Sequence, residues 1–217
     1  MMVQLAIFDL DGTLLDTLAD LRKGINHALA SEGFAPRTLE EVRAFVGNGI
    51  HKLVERAVPP GTGEAQIEAV YAAFGPYYAV HCADETRPYD GIVPLLRTLK
   101  DAGVQCALVS NKPDYAVQIL AEKHFPGLLA AAAGAKDGVR KKPAPDAVFA
   151  VVRELHAENL RAAYIGDSEV DIETAKNAKM PCISVSWGFR DRALLVQAGA
   201  DCLCDSIEQL QRALLDA

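Results

Sequence analysis

Val3-Gln4-Leu5-Ala6-Ile7-Phe8-Asp9-Leu10-Asp11-Gly12-Thr13 opens with an apolar run, Val3–Phe8, that leads straight into two aspartates, a glycine and a threonine. A short stretch of continuous rather than alternating apolar character is what a parallel strand buried on both faces requires. Similar runs recur at Val104–Val109, Leu128–Ala133, Ala162–Ile165 and Pro181–Val185, with a weaker one at Asp201–Cys204. Between them lie amphipathic segments with recognisable helix ends: Ile92–Ala102 closed by Gly103, Asp114–His124, Asp146–His156 and Asp171–Ala178. Strand and helix in alternation predict an α/β fold, a doubly wound, mostly parallel sheet with helices on both faces.

One region breaks the alternation. From Leu15 to Arg87 there is no strand pattern, only helical ones at Leu18–Ala30, Leu39–Phe45, Ile50–Ala57 and Glu64–Cys82. The breaks fall at Ser31-Glu32-Gly33, Gly47-Asn48-Gly49 and Pro59-Pro60-Gly61-Thr62-Gly63. The 217 residues correspond to about one and a half domains at roughly 150 residues each. An all-helical domain at 15–87, inserted into an α/β core made of 1–14 and 88–217, accounts for the half.

Composition narrows the class. Half of the residues are hydrophobic and 24% charged, as expected of a soluble globular protein. A net charge of −7 argues against general nucleic-acid binding. Five cysteines, Cys82, Cys106, Cys182, Cys202 and Cys204, read as free thiols in a reducing compartment. Cys202-x-Cys204 lacks the spacing and the second pair of a zinc site. With no leader pattern and no apolar run of spanning length, the expected location is the cytoplasm, away from membranes. No feature specifies an oligomeric state.

The chemistry-bearing residues fall at strand ends, where ligands bind in open α/β sheets. Asp9 and Asp11 together suit a hard divalent cation such as Mg²⁺, and Gly12 lets the backbone turn; an Asp-Gly pair alone is otherwise an ordinary turn. The second run ends at Ser110-Asn111-Lys112-Pro113, where the Ser110 hydroxyl can meet a phosphate oxygen or either residue can cap the next helix. In Arg140-Lys141-Lys142, Pro143 biases Lys142 toward an extended backbone, so its ammonium is held in one direction; a basic run is also commonly a solvated loop. Gly166-Asp167-Ser168-Glu169-Val170-Asp171 places Asp167 at a third strand end, positioned to complete a metal site. Ser168-x-x-Asp171 has a competing role as a helix capping box.

In this order, Asp9-Leu10-Asp11-Gly12-Thr13, Ser110, Lys142 and Gly166-Asp167-Ser168-x-x-Asp171 resemble the motifs of the haloacid dehalogenase-like superfamily, and the resemblance covers essentially the whole chain. It implies a Rossmann-like core with the helical block as its cap. It implies that Asp9 is a nucleophile forming an aspartyl-phosphate and that Asp11 is the general acid, then base, with its carbonyl on the metal. It also implies that Ser110 and Lys142 hold the phosphoryl oxygens, beside Gly12, Thr13 and Asn111. Mg²⁺ would be held by Asp9, Asp11 and Asp167, with Asp171 behind them. Dehalogenases of the family lack an acid at the position of Asp11, and related mutases commonly carry valine at that of Thr13, so the pattern favours phosphate-ester hydrolysis.

Val46-Gly47-Asn48-Gly49-Ile50, Leu53-Val54-Glu55-Arg56-Ala57, Ser110-Asn111-Lys112-Pro113 and Trp187-Gly188 resemble the phosphoglycolate phosphatase branch. That likeness implies a small phosphorylated substrate, 2-phosphoglycolate first, with Asn48, Lys52 or Arg56 of the cap meeting its carboxylate. Alternatives are a pyrophosphatase, a nucleotide or sugar-phosphate phosphatase, a phosphomutase, and, outside enzymes, a phosphoacceptor signalling domain.

Overall fold

The structure is a computed structural model describing residues 2–216; residues 1 and 217, the outer ends of the two expected core segments, lie outside the described residues. Its strands are β1 Leu5–Phe8, β2 Leu15–Asp16, β3 Arg87–Pro88, β4 Gln105–Pro113, β5 Ala131–Ala135, β6 Ala162–Gly166, β7 Cys182–Val185 and β8 Cys202–Cys204. Its helices are α1 Leu18–Ser31, α2 Leu39–Phe45, α3 Ile50–Ala57, α4 Glu64–His81, α5 Ile92–Asp101, α6 Asp114–His124, α7 Asp146–Glu154, α8 Glu169–Ala178, α9 Arg192–Gln197 and α10 Ile207–Leu215.

Six strands form one sheet in the order β5-β4-β1-β6-β7-β8, every pair parallel. The α/β expectation is met. In β1, Ala6 and Phe8 face the cluster built with Ile92, Leu96 and Leu210, whereas Leu5 and Ile7 face the one built with Val148, Val151 and Ala175. Both faces are apolar because both are covered by helices, which is why the run shows no alternation. β1 lies between β4 and β6, so the chain reverses direction across the sheet there. The crevice beyond the strand ends is the ligand position in such a topology.

Several details differ from the sequence reading. β4 continues past its apolar run through Ser110-Asn111-Lys112-Pro113, and Pro113 itself precedes α6, so neither Ser110 nor Asn111 caps that helix. β5 begins at Ala131 rather than Leu128, because Leu128 is taken up in the turn, its amide bonding Phe125 O. α9 and α10 have no counterpart among the expected helices. The stretch expected to lack strands begins with β2 and ends with β3, which pair antiparallel, Leu15 with Pro88 and Asp16 with Arg87. Two-residue strands carry no periodicity, so no pattern betrays them.

Helices α1 to α4 bury their own apolar cluster, including Leu21, Ile25, Val54, Val70 and Phe74. Where the chain leaves and re-enters this block, Asp20 of α1 is fully buried and accepts from the Glu85 and Thr86 amides and from the Thr86 hydroxyl, the last two at 2.8 Å. Asp20→Ala strands the buried Thr86 amide and hydroxyl and the partly buried Glu85 amide. It should cost about 2–3 kcal/mol in urea unfolding; a loss below about 0.5 kcal/mol would mean that water satisfies those groups.

Candidate active site

Two strand ends and the start of a helix converge at the crevice. β1 delivers Asp9, β6 delivers Asp167, and the first turn of α8 brings Asp171; one carboxylate oxygen from each lies within 4.8 Å of the other two. All three residues are buried. Asp167 is gripped from two sides: the Thr13 hydroxyl donates to Oδ1 at 3.2 Å and the Phe189 amide to Oδ2 at 2.6 Å. A Cβ on Gly12 would stand 2.2 Å from Asp167 Oδ2, and one on Gly188 2.3 Å from the same oxygen. Gly12 also has φ +86, a region costly for side-chain-bearing residues.

Lys142 reaches into this cluster from the loop before α7. Its ammonium lies 2.8 Å from Asp9 Oδ1 and 2.7 Å from Asp171 Oδ1, and donates to the Tyr164 hydroxyl at 3.1 Å. The Lys142–Pro143 peptide is cis. The Asn111 side chain holds the Lys142 backbone on both sides, Oδ1 accepting from its amide at 2.8 Å and Nδ2 donating to its carbonyl at 3.0 Å. Nδ2 also reaches the Gly47 carbonyl of the helical block at 3.3 Å. Asp171 is satisfied by Lys142 and by the Ser168 amide and hydroxyl, at 3.1 and 2.6 Å. The capping contacts expected of Asp171 are present, together with one to Lys142.

Charge sets the chemistry of this cluster. Three buried carboxyls share one ammonium, so full ionisation would leave two negative charges without a cation between them, and Asp9 Oδ1 has no well-directed hydrogen bond. Burial pushes the Asp9 carboxyl up to about 7, against the pull of Lys142 and with the push of Asp171. Burial, then Asp171 and Asp9, likewise hold Asp167 well above the ordinary carboxylate range. A hard divalent cation fits this donor set and this charge. Asp9, Asp167 and Asp171 could hold one, and Asp171 is also bound by Lys142 and Ser168.

The Asp11 carboxylate stands apart from that cluster. It pairs at 2.8 Å with the ammonium of Lys112, whose side chain is wholly buried. Burial opposes the Lys112 charge, but Asp11 and then Tyr78 outweigh it and raise its pKa. Ser110 is buried, and its oxygen accepts from the Lys112 amide at 3.3 Å, which leaves the hydroxyl proton available to a ligand.

A cavity of about 40 Å³ joins these groups, lined by Asp9, Asp11, Ser110, Lys112, Lys142 and Asp167 from the sheet side. Its roof is Leu21, Val46, Gly47, Gly49, Ile50 and Leu53 of the helical block. Arg190, also on its wall, donates to Glu169 at 2.9 Å and to the Val46 and Arg43 carbonyls at 2.7 and 3.2 Å. Arg43 answers from α2, donating to the Phe189 and Gly188 carbonyls at 2.9 and 3.1 Å. Two arginines thus tie the roof to the loop that holds Asp167.

Several expected ligand-binding residues are placed otherwise. Gly12 and Thr13 do not line the cavity: their amides bond Leu15 O and Leu10 O within the turn, and the Thr13 hydroxyl is committed to Asp167. Asn111 lines the cavity but spends its amide on Lys142 and Gly47. Asn48, Lys52 and Arg56 stand outside it: Lys52 pairs with Glu55, and Arg56 donates to Phe45 O and Asn48 Oδ1. Helical period explains this, because α3 turns Ile50, Leu53, Val54 and Ala57 inward and leaves Lys52 and Arg56 exposed. Lys112 and Arg190 were not foreseen. Lys112 has a sequence signal, a lysine ending an apolar strand; Arg190 has none.

The profile of the haloacid dehalogenase-like hydrolases matches residues 6–185. The chain belongs to that family and is an enzyme, a phosphoric monoester hydrolase, which sets aside the signalling-domain alternative. It is 34% identical over 216 residues to the phosphoglycolate phosphatase of Agrobacterium fabrum, across 98% of this chain and 92% of that one. A crystal structure from Lactobacillus delbrueckii subsp. bulgaricus superposes over the whole of both chains with TM-score 0.94 and 38% identity. That of CbbY from Rhodobacter sphaeroides in complex with phosphate does so with TM-score 0.78 and 29% identity. Among the described residues, no helix is long and apolar enough to cross a membrane.

Proposed function

We propose that the protein is a Mg²⁺-dependent phosphatase of a small phosphate monoester, 2-phosphoglycolate, and that residues 15–87 form the cap over its core. The observation carrying this reading is Lys142 between Asp9 and Asp171, beside Asp167 and Ser110, under an apolar roof. Asp9 attacks phosphorus, the bond to the ester oxygen breaks, and that oxygen takes the proton that Asp11 has picked up from solvent on leaving Lys112. Asp11 then takes a proton from water as the water attacks the aspartyl-phosphate, returning Asp9 and releasing phosphate. Lys142 and the Ser110 hydroxyl hold the non-bridging oxygens, so positioning and charge neutralisation supply most of the catalysis. A bound Mg²⁺ would neutralise charge on the transferring phosphoryl group.

The substrate reading is tested by kcat/KM with Mg²⁺ across 2-phosphoglycolate, pyrophosphate, nucleotides and sugar phosphates. A clear preference for 2-phosphoglycolate is expected; a flat profile would remove it as the substrate.

The raised carboxyls also set a pH dependence. With Asp9 at about 7 and Asp167 well above its ordinary value, the metal-free native state binds more protons than the unfolded chain above pH ~4. The metal-free protein should therefore lose stability as pH rises from about 4 to 7 and beyond. Cation binding displaces those protons, so the Tm gain on adding Mg²⁺ should grow over the same interval. Thermal melts at pH 5, 6, 7 and 8 check this, and a pH-independent gain would contradict it.

A further inference from the structure

We propose that Lys112 is the specificity residue of the site: its ammonium reads a carboxylate on the substrate, exchanging Asp11 for it. The inference rests on the phosphatase reading above and names the group that selects among phosphate monoesters.

The argument begins with the cations of the cavity wall, which among the described residues are Lys112, Lys142 and Arg190. Lys142 is spent between Asp9 and Asp171. Arg190 is spent on Glu169 and two backbone carbonyls of the roof. Lys112 has one acceptor, Asp11 Oδ1 at 2.8 Å, and the face of the Tyr78 ring with its centroid 4.9 Å away. An ammonium carries three donors, so this one can bond an incoming carboxylate as its aspartate leaves. The Tyr78 hydroxyl nearby is buried and has no hydrogen-bond partner.

Position agrees with chemistry. In an in-line displacement the leaving oxygen lies opposite Asp9, on the side of the group that protonates it, Asp11. A carboxylate one methylene beyond that oxygen falls next to Asp11, where Lys112 stands. Leu21, Ile50 and Leu53 lie overhead and the other two cations of the wall are spent, so an ester without the carboxylate offers Lys112 nothing in exchange. The substrate anion takes the ammonium, and Asp11 is released toward the leaving oxygen. A polar site of this kind rejects the analogue that lacks the matching group far more strongly than an apolar pocket does.

The test compares 2-phosphoglycolate with ethyl phosphate, which differs by the carboxylate alone. Wild type should prefer the former by about 100-fold or more in kcat/KM, and Lys112→Met should cut that ratio by about 30-fold or more. Lys112→Arg, keeping the charge, should retain a clear preference. A Lys112→Met ratio within about threefold of wild type would overturn the proposal. Should Lys112→Met not fold, calorimetry on the wild type decides: 3-phosphonopropionate should bind about 30-fold tighter than propylphosphonate, and equal affinities overturn the assignment. Equal hydrolysis of both esters by wild type overturns the role of Lys112 and leaves the phosphatase reading standing. Hydrolysis of neither overturns that reading, and the role with it.

Discussion

Asp9→Asn should lower kcat by on the order of 10⁴-fold or more without lowering the melting temperature of the metal-free protein. An amide oxygen is too poor a nucleophile to form the acyl-phosphate bond, so loss of turnover follows from the role proposed for this carboxylate. The stability half of the prediction comes from the surroundings. Asp9 is one of three buried carboxylates around a single ammonium, and burial has pushed it up to about 7. Above that pH the native state carries its charge at a cost, and the amide removes the cost while Asp171 keeps Lys142 paired. Activity assays and melts at pH 8 test both halves. Retained turnover would sink the nucleophile assignment, and a large drop in Tm would sink the electrostatic account.

Lys142→Met should have the largest effect on stability, about 3–5 kcal/mol, and should also abolish most activity. Removing the ammonium leaves Asp9 and Asp171 facing each other with no cation between them, and a buried unpaired charge is costlier than a missing pair. The loss should be greatest at pH 8 and shrink toward pH 5. The sign follows from Asp9, whose carboxyl takes up a proton below about 7 and then no longer needs the lysine. Urea unfolding at the two pH values is the measurement. An equal loss at both would assign the effect to packing of the lysine stem.

Much of the candidate site was legible because its residues follow apolar runs, and the ends of such runs can be read from the sequence. Asp9 and Asp167 are such residues, Ser110 ends the apolar run of β4, and the structure brings all three to one cavity. Asp171 was legible as a capping residue in the first turn of a helix, and its carboxylate contacts Lys142 and Ser168 at once. The roof was misread at the level of side chains. Gly47-Asn48-Gly49 does face the site through both glycines, but the charged residues beside it, Lys52 and Arg56, lie on the outer side of α3. Charge drew attention to the face that a helix of this register turns to water.

The fold class and the order of the chemical groups along the chain were determined by the sequence alone. These are local properties: continuous apolar runs mark doubly covered strands, and turn residues mark their ends. Which groups touch was decided only by the tertiary structure. Lys112 meets Asp11 across 101 positions, Lys142 joins Asp171 across 29, and Arg43 reaches Phe189 across 146. Such pairings depend on strand order, on which face each side chain takes, and on how deeply each charge is buried. Charges at this depth must find partners, and only the packed chain fixes which partners are within reach.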